Sequence, residues 1–182
     1  MEISPDNGLM MDVKNGDLDK LGSLFEKYRH PLYRYFHLKT GGCDDCEDLV
    51  QNVFVRILKY RDRYQPHGEF KSWMFSIAHN LSVDYMRKKG RAGNETELLD
   101  THAVSDPGAE EELIKSERLA KLEKALSMLR EDYREALVLS RYENMKYKEI
   151  GEITGCSEGA VKVRIHRALI ELKRLYDGSE RP

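Results

Sequence analysis

In several long segments between Leu18 and Leu172 the apolar residues of this chain recur every three or four positions, and no stretch of four or more residues alternates cleanly between apolar and polar. A spacing near 3.6 lines up one buried face of a helix, whereas a half-buried strand needs a period of two. The chain is therefore expected to be all-α. Leu18, Leu21, Leu24, Phe25, Tyr28, Leu32, Tyr35 and Phe36 form the first such face. Pro31 is expected to kink or divide that helix, and Gly41-Gly42 to end it. A second helix is expected over Asp44–Tyr60, with Asp44 and Asp45 capping its start and Leu49, Val50, Val53, Phe54, Ile57 and Leu58 on one side. DRYQPHGE (62–69) breaks the pattern, and Phe70, Trp73, Met74, Ile77, Leu81 and Tyr85 restore it to about Lys89. The opening MEISPDNGLMMD reads as a loose lead-in.

Residues 92–117 lose the period and hold a Pro-Gly pair and many acids. They divide the 182 residues into a helical unit at 13–91, an acidic flexible tether at 92–117 and a second helical unit at 118–177. Leu119, Leu122, Leu126, Leu129, Tyr133, Ala136, Leu137 and Val138 reopen the helical pattern. A short helix over Tyr147–Thr154, a turn at Gly155-Cys156-Ser157 and a final helix over Glu158–Tyr176 follow.

Several classes of function are disfavoured. No apolar run approaches the roughly 18 residues that span a bilayer, and no charged start precedes an apolar stretch, so neither membrane insertion nor a signal peptide is expected. Three cysteines are odd in number and too few for a disulfide scaffold, which fits a reducing, cytoplasmic interior. Cys43 and Cys46, with His37 nearby, fall short of the four ligands of a closed zinc site. Local packing outweighs both zinc and redox chemistry as their reading. No Walker loop or HExxH occurs, so no cofactor, metal or catalytic residue is expected.

The net charge of −2 conceals a pattern. Residues 54–91 sum to +6, residues 92–123 to −6 and residues 158–176 to +3. Two basic surfaces on separate helical units point to a phosphate-backbone ligand. In YKEIGEITGCSEGAVKVRIHRALIELKRL, Ile150 and Ile153 pack a short helix, Gly155 allows a tight turn and Ser157 caps the next helix. That helix presents Glu158, Lys162, Arg164, His166 and Arg167 away from the seam formed by Val161 and Ile165. This is the pattern of a helix-turn-helix entering the major groove. In FKSWMFSIAHNLSVDYMRKKGR, aromatic and basic residues interleave, which suits unpaired bases and their phosphates. Trp73 divides evenly between core and base-stacking surface, and Tyr64 is a second stacking candidate.

CEDLVQNVFVRILKYRDRY, GEFKSWMFSIAHNLSVDYMRKKGR and LREDYREALVLSRYENMKYKEIGEITGCSEGAVKVRIHRALIELK, with the acidic tether between them, resemble the bacterial sigma factors of the extracytoplasmic-function type in the sigma-70 superfamily. The resemblance spans residues 16–175. It implies a factor that binds core RNA polymerase, at the clamp and flap of the large subunits, and directs it to promoters of a stress or environmental response. Residues 13–91 would be sigma domain 2 and residues 118–177 sigma domain 4. Asp48, Leu49, Gln51, Asn52, Phe54 and Arg56 would dock on the polymerase, although the family usually has an acid at the position of Asn52. Tyr64, Lys71, Trp73, Ser76, Asn80, Asp84, Arg87 and Lys88 would open and read the minus-ten element as single strand. Lys162, Arg164, His166 and Arg167 would read the duplex minus-thirty-five element. An anti-sigma factor would be a further partner. Read without the resemblance, the same residues also suit an autonomous helix-turn-helix regulator or a helical adaptor.

Overall fold

The computed structural model describes residues 4–91 and 110–178. The described residues form α1 (Pro5–Lys14), α2 (Asp19–Thr40), α3 (Cys46–Tyr60), α4 (Phe70–Arg91), α5 (Glu110–Ser127), α6 (Glu131–Arg141), α7 (Tyr147–Thr154) and α8 (Glu158–Asp177), with one 3-10 turn at Arg61–Arg63. Residues 92–109 of the expected tether lie outside the described residues, and its last part, 110–117, is the start of α5.

Four local expectations are corrected. The opening residues are not a loose lead-in: Ser4 accepts a hydrogen bond from the Asn7 amide, and Pro5 stands in the first turn of α1, where its missing N–H costs nothing. Met10 and Val13 of α1 are fully buried. Pro31 does not divide α2, which runs unbroken until Gly41 (φ 74°) and Gly42 (φ 101°) turn it. α3 starts at Cys46, and Asp45 in the capping position makes no side-chain cap bond. Cys43 and Cys46 are instead joined by a disulfide across the α2–α3 connection, which the reading of a wholly reduced chain did not foresee.

α1 to α4 pack as one helical body and α5 to α8 as another, yet their buried side chains form one continuous core. α2 lies against α5 and α6, and α4 lies against α7. Within the second body, α7 and α8 meet across a turn whose Gly155 has φ 69°. Ser157 accepts from the Ala160 amide at 3.2 Å to start α8, as its sequence position suggests. Gly151 is the closest point of this junction, since a Cβ there would lie 2.6 Å from the Cys156 carbonyl oxygen. Gly151→Ala should therefore pry α7 from the turn and lower stability by about 1–3 kcal/mol, measurable by urea unfolding.

Candidate nucleic-acid interface

The two bodies are held in register by a buried polar cluster. Lys39, near the end of α2, is fully buried, and its Nζ donates to Oε1 of Glu135 on α6 at 2.7 Å. Tyr35 Oη donates to the same oxygen at 2.6 Å, and Nδ1 of His79 on α4 lies 2.8 Å from it. Burial alone would push the Glu135 carboxyl up, but the His79 hydrogen bond and the Lys39 charge outweigh it and hold it down, to about 2. Burial, then the Glu135 charge and hydrogen bond, push the Tyr35 hydroxyl well above its usual range. A second cluster gathers at Glu143, whose carboxylate meets Arg34 at 2.8 Å and Lys71 at 3.1 Å, with Lys71 Nζ also donating to the Glu143 carbonyl at 2.6 Å.

On α3 the expected docking residues divide between two faces. Asp48, Gln51 and Asn52 are exposed and Arg56 is half-buried. Leu49 and Phe54 point inward instead, Phe54 meeting Phe25 edge-on with ring centroids 5.0 Å apart. As core residues, each only 6% exposed, these two shape the helix from beneath and offer a partner little surface, sharing the inner face with Val50, Val53 and Ile57.

The segment 62–69 is fastened from a residue that sequence reasoning passed over. Asn7 Oδ1 accepts from Tyr64 Oη at 2.8 Å and from the Phe70 amide at 2.7 Å, while Nδ2 donates to the Gly68 carbonyl at 2.8 Å. Lys14 Nζ donates to the Tyr64 carbonyl at 2.7 Å. Tyr64 is 1% exposed, packed between Phe70 and Trp73. Its assignment as an open base-stacking residue is corrected: both the ring and the hydroxyl are already engaged. Trp73 keeps some exposure and lines a cleft of about 370 Å³ with Gln65, His67, Ser72 and Ser76 on one side and Glu149, Glu152 and Ile153 of α7 on the other. Ser72 Oγ donates to Glu149 across it at 2.8 Å. The acids of α7 thus stand over the start of α4, where a phosphate would be repelled.

Further along α4, Asn80, Arg87 and Lys88 are exposed. Asp84 pairs with Arg87 at 2.8 Å and with Arg56 at 3.8 Å, linking that surface to α3. On α8, Lys162, His166 and Arg167 are exposed, whereas Arg164 is half-buried, 3.5 Å from Asp132 and donating to Cys156 Sγ at 3.3 Å. Arg164 is held against α6, Arg167 Nη1 reaches Tyr133 Oη of the same helix at 3.5 Å, and Lys162 and His166 are exposed. No side chain in this surface is arranged for covalent chemistry; what the geometry offers is charge, hydrogen-bond donors and one partly covered indole.

Comparison with known proteins gives a consistent result. The family model described as Sigma-70 region 2 matches residues 24–92, and that described as Sigma-70, region 4 matches residues 119–172. The ECF RNA polymerase sigma factor SigE of Mycolicibacterium smegmatis is 35% identical over 152 residues, which cover 82% of this chain and 59% of that one. The RNA polymerase sigma factor CarQ of Myxococcus xanthus is 31% identical over 166 residues, covering 91% and 94%. Among solved structures, the sigma factor RpoE in complex with the anti-sigma factor NepR from Bartonella quintana superposes with a TM-score of 0.69 at 26% identity, covering 87% of this chain and 98% of that one.

Two outcomes follow from the buried contacts. Glu135→Ala removes the close counter-charge of the buried Lys39 ammonium, leaving only Glu131 at 3.9 Å, and should cost about 3–5 kcal/mol, whereas Lys39→Met combined with Glu135→Leu should cost far less. Because the Glu135 carboxyl is depressed in the folded chain, to about 2 from an ordinary 4.5, its contribution is present above about pH 5. It is lost as pH falls toward 2, and urea midpoints measured across that range in parent and double variant read the difference. Asn7→Ala strands the Tyr64 hydroxyl and the Phe70 amide and should lower stability by about 1–3 kcal/mol. Proteolysis in the 62–69 segment should become faster in the same variant, and an unchanged cleavage rate would remove Asn7 from this role.

Proposed function

The chain belongs to the extracytoplasmic-function sigma factors of the sigma-70 superfamily, and from that premise we propose how its surfaces divide the work. As a sigma factor it binds core RNA polymerase and directs promoter-specific initiation, and it is not itself an enzyme. In our reading the first helical body is sigma domain 2 and the second is sigma domain 4. The outward stripe of exposed Asp48, Gln51 and Asn52 with half-buried Arg56 on α3 docks on the polymerase clamp, with Leu49 and Phe54 as its packed underside. Lys71, Trp73, Ser76, Asn80, Asp84, Arg87 and Lys88 meet the minus-ten element, and α7–α8 acts as the helix-turn-helix that puts Lys162, His166 and Arg167 on the minus-thirty-five duplex. Strand opening costs a few kcal/mol per unstacked step, so contacts made only to unpaired bases drive it.

The observation that carries this division is the engagement of Lys71 by Glu143. A basic residue of the minus-ten surface is occupied by a carboxylate of the other body, and α7 brings two further acids over Trp73. The packed arrangement is thus the state in which the minus-ten surface is shut. Polymerase and promoter must separate α7 from α4 before that surface can be used. The solved complex of RpoE with the anti-sigma factor NepR supports an anti-sigma partner for this chain too.

Transcription from a promoter library by core polymerase, with and without this chain, tests the reading. New start sites preceded by shared minus-thirty-five and minus-ten sequences are expected; unchanged start sites would overturn it. Lys162→Ala with Arg167→Ala should reduce use of those promoters about tenfold or more and flatten its salt dependence by up to two phosphate contacts. Undiminished use would remove α8 from the upstream contact.

A further inference from the structure

We propose that Cys43 and Cys46 form a reversible thiol–disulfide site that sets the order of the first turn of α3 and, through it, the affinity of this chain for core polymerase. The last step rests on the sigma-factor reading; the chemistry of the site does not. The two Cα atoms lie 5.4 Å apart in a four-residue C-x-x-C segment, within the range a disulfide accepts. Cys46 is the first residue of α3, and the residue before it, Asp45, gives the helix no side-chain cap bond. The covalent link therefore does what a cap does elsewhere: it fixes where the chain enters the helix. Asp48, the first exposed residue of the docking stripe, stands two residues beyond Cys46 in that same turn.

Of the two buried residues Cys46 has no exposed surface and Cys43 keeps 7%, so the proposed attack falls on Cys43, the less enclosed of the pair. Attack there forms a mixed disulfide on Cys43, breaks the Cys43–Cys46 bond and expels Cys46 as a thiolate at the positive end of the α3 dipole. A second thiol then attacks the mixed disulfide, leaving as a small-molecule disulfide and releasing the Cys43 thiolate. The two reductant thiols supply two electrons and two protons, and both cysteines end as thiols. Oxidation runs the same steps backwards from a small-molecule disulfide.

Asp44, Asp45, Glu47 and Asp48 are all exposed around this pair. Their field disfavours an anionic thiol and favours a neutral or cationic one. The other side of the connection touches the second body: a Cβ at Gly41 would lie 3.5 Å from the Ser127 Cβ and 3.6 Å from Arg134 Nη1. Arg134 is itself buried, and its Nη1 donates to the Ser127 carbonyl at 2.7 Å.

The test uses the full chain, purified without reductant, exposed to cystamine, then alkylated in denaturant before and after treatment with cysteamine or glutathione. In the oxidised sample Cys43 and Cys46 should escape alkylation, with the free Cys156 alkylated or capped by cysteamine, and all three cysteines should alkylate after reduction of the folded chain. At low salt, cysteamine should reduce the pair about tenfold faster than glutathione per unit of thiolate, and the ratio should shrink in about 1 M salt. Amide exchange over residues 46–50 should be faster in the reduced chain, and core-polymerase affinity roughly fivefold weaker, the size of a lost helix cap. Cys43→Ser with Cys46→Ala should match the reduced chain and ignore the oxidant. Three alkylated cysteines after cystamine, reduction only upon unfolding, or identical exchange and affinity in both states would each overturn the proposal. If neither state binds polymerase, the sigma reading fails, while the alkylation pattern and the exchange at 46–50 still decide whether the site is reversible.

Discussion

A lysine with no exposed surface dictates how this molecule is assembled. Lys39 sits near the end of α2, and an ammonium there is tolerable only with a carboxylate against it; Glu135 of α6 supplies one from nearly a hundred residues away. Burying two ions costs several kcal/mol each, and their attraction repays that cost only with good geometry and satisfied hydrogen bonds. Tyr35 and His79 supply the additional bonds to the same oxygen. The pair thus contributes position more than stability. Apolar helix faces could slide past each other by a turn at modest cost, but a carboxylate serving a lysine, a tyrosine and a histidine at once has one workable place.

The same chemistry makes the junction separable. An interface made only of leucines would expose apolar surface on opening and gain nothing in return. Here opening lets water solvate Lys39, Glu135, Glu143 and Lys71, recovering part of what separation loses. Lys71 adds a competitive element, because a DNA phosphate can replace the Glu143 carboxylate as its partner. The residue that helps to hold the two bodies together is, in the proposed reading, one that the promoter claims.

The helices were legible because each buries one face, and that pattern survives in a single sequence; α3, α4, α7 and α8 fall within two residues of their expected bounds. α1 was missed because Pro5, Asp6, Asn7 and Gly8 are turn-forming residues. The informative details there were Ser4 before Pro5 and the three-residue spacing of Met10 and Val13. Tyr64 was misread because an aromatic in a broken segment resembles a surface residue unless its partner is known, and Asn7 lies 57 positions away. Leu49 and Phe54 entered the docking set because a resemblance covers a continuous helix without separating its inner from its outer face. The roles of Glu135 and Glu143 could not be read at all: an acid on a helix looks solvated, and only the tertiary fold delivers the cations that bury it.

On the proposed reading, closure leaves the two nucleic-acid surfaces in unequal states. The basic face of α8 is open, while the start of α4 lies under α7 and its acids. Masking one surface is enough for control when function depends on two linked contacts. The second contact becomes effectively intramolecular only while both sites can be engaged together, and much of the combined affinity disappears when geometry forbids it. The closed chain can still touch duplex through α8 with the weak, salt-sensitive affinity of a few phosphate contacts. It cannot add the minus-ten surface until the ion pairs at Glu135 and Glu143 are released. On the proposed reading, selectivity for promoters over bulk DNA then draws on the protein's own interface, because a partner that compensates for the loss of both pairs is needed to bring the two surfaces into use.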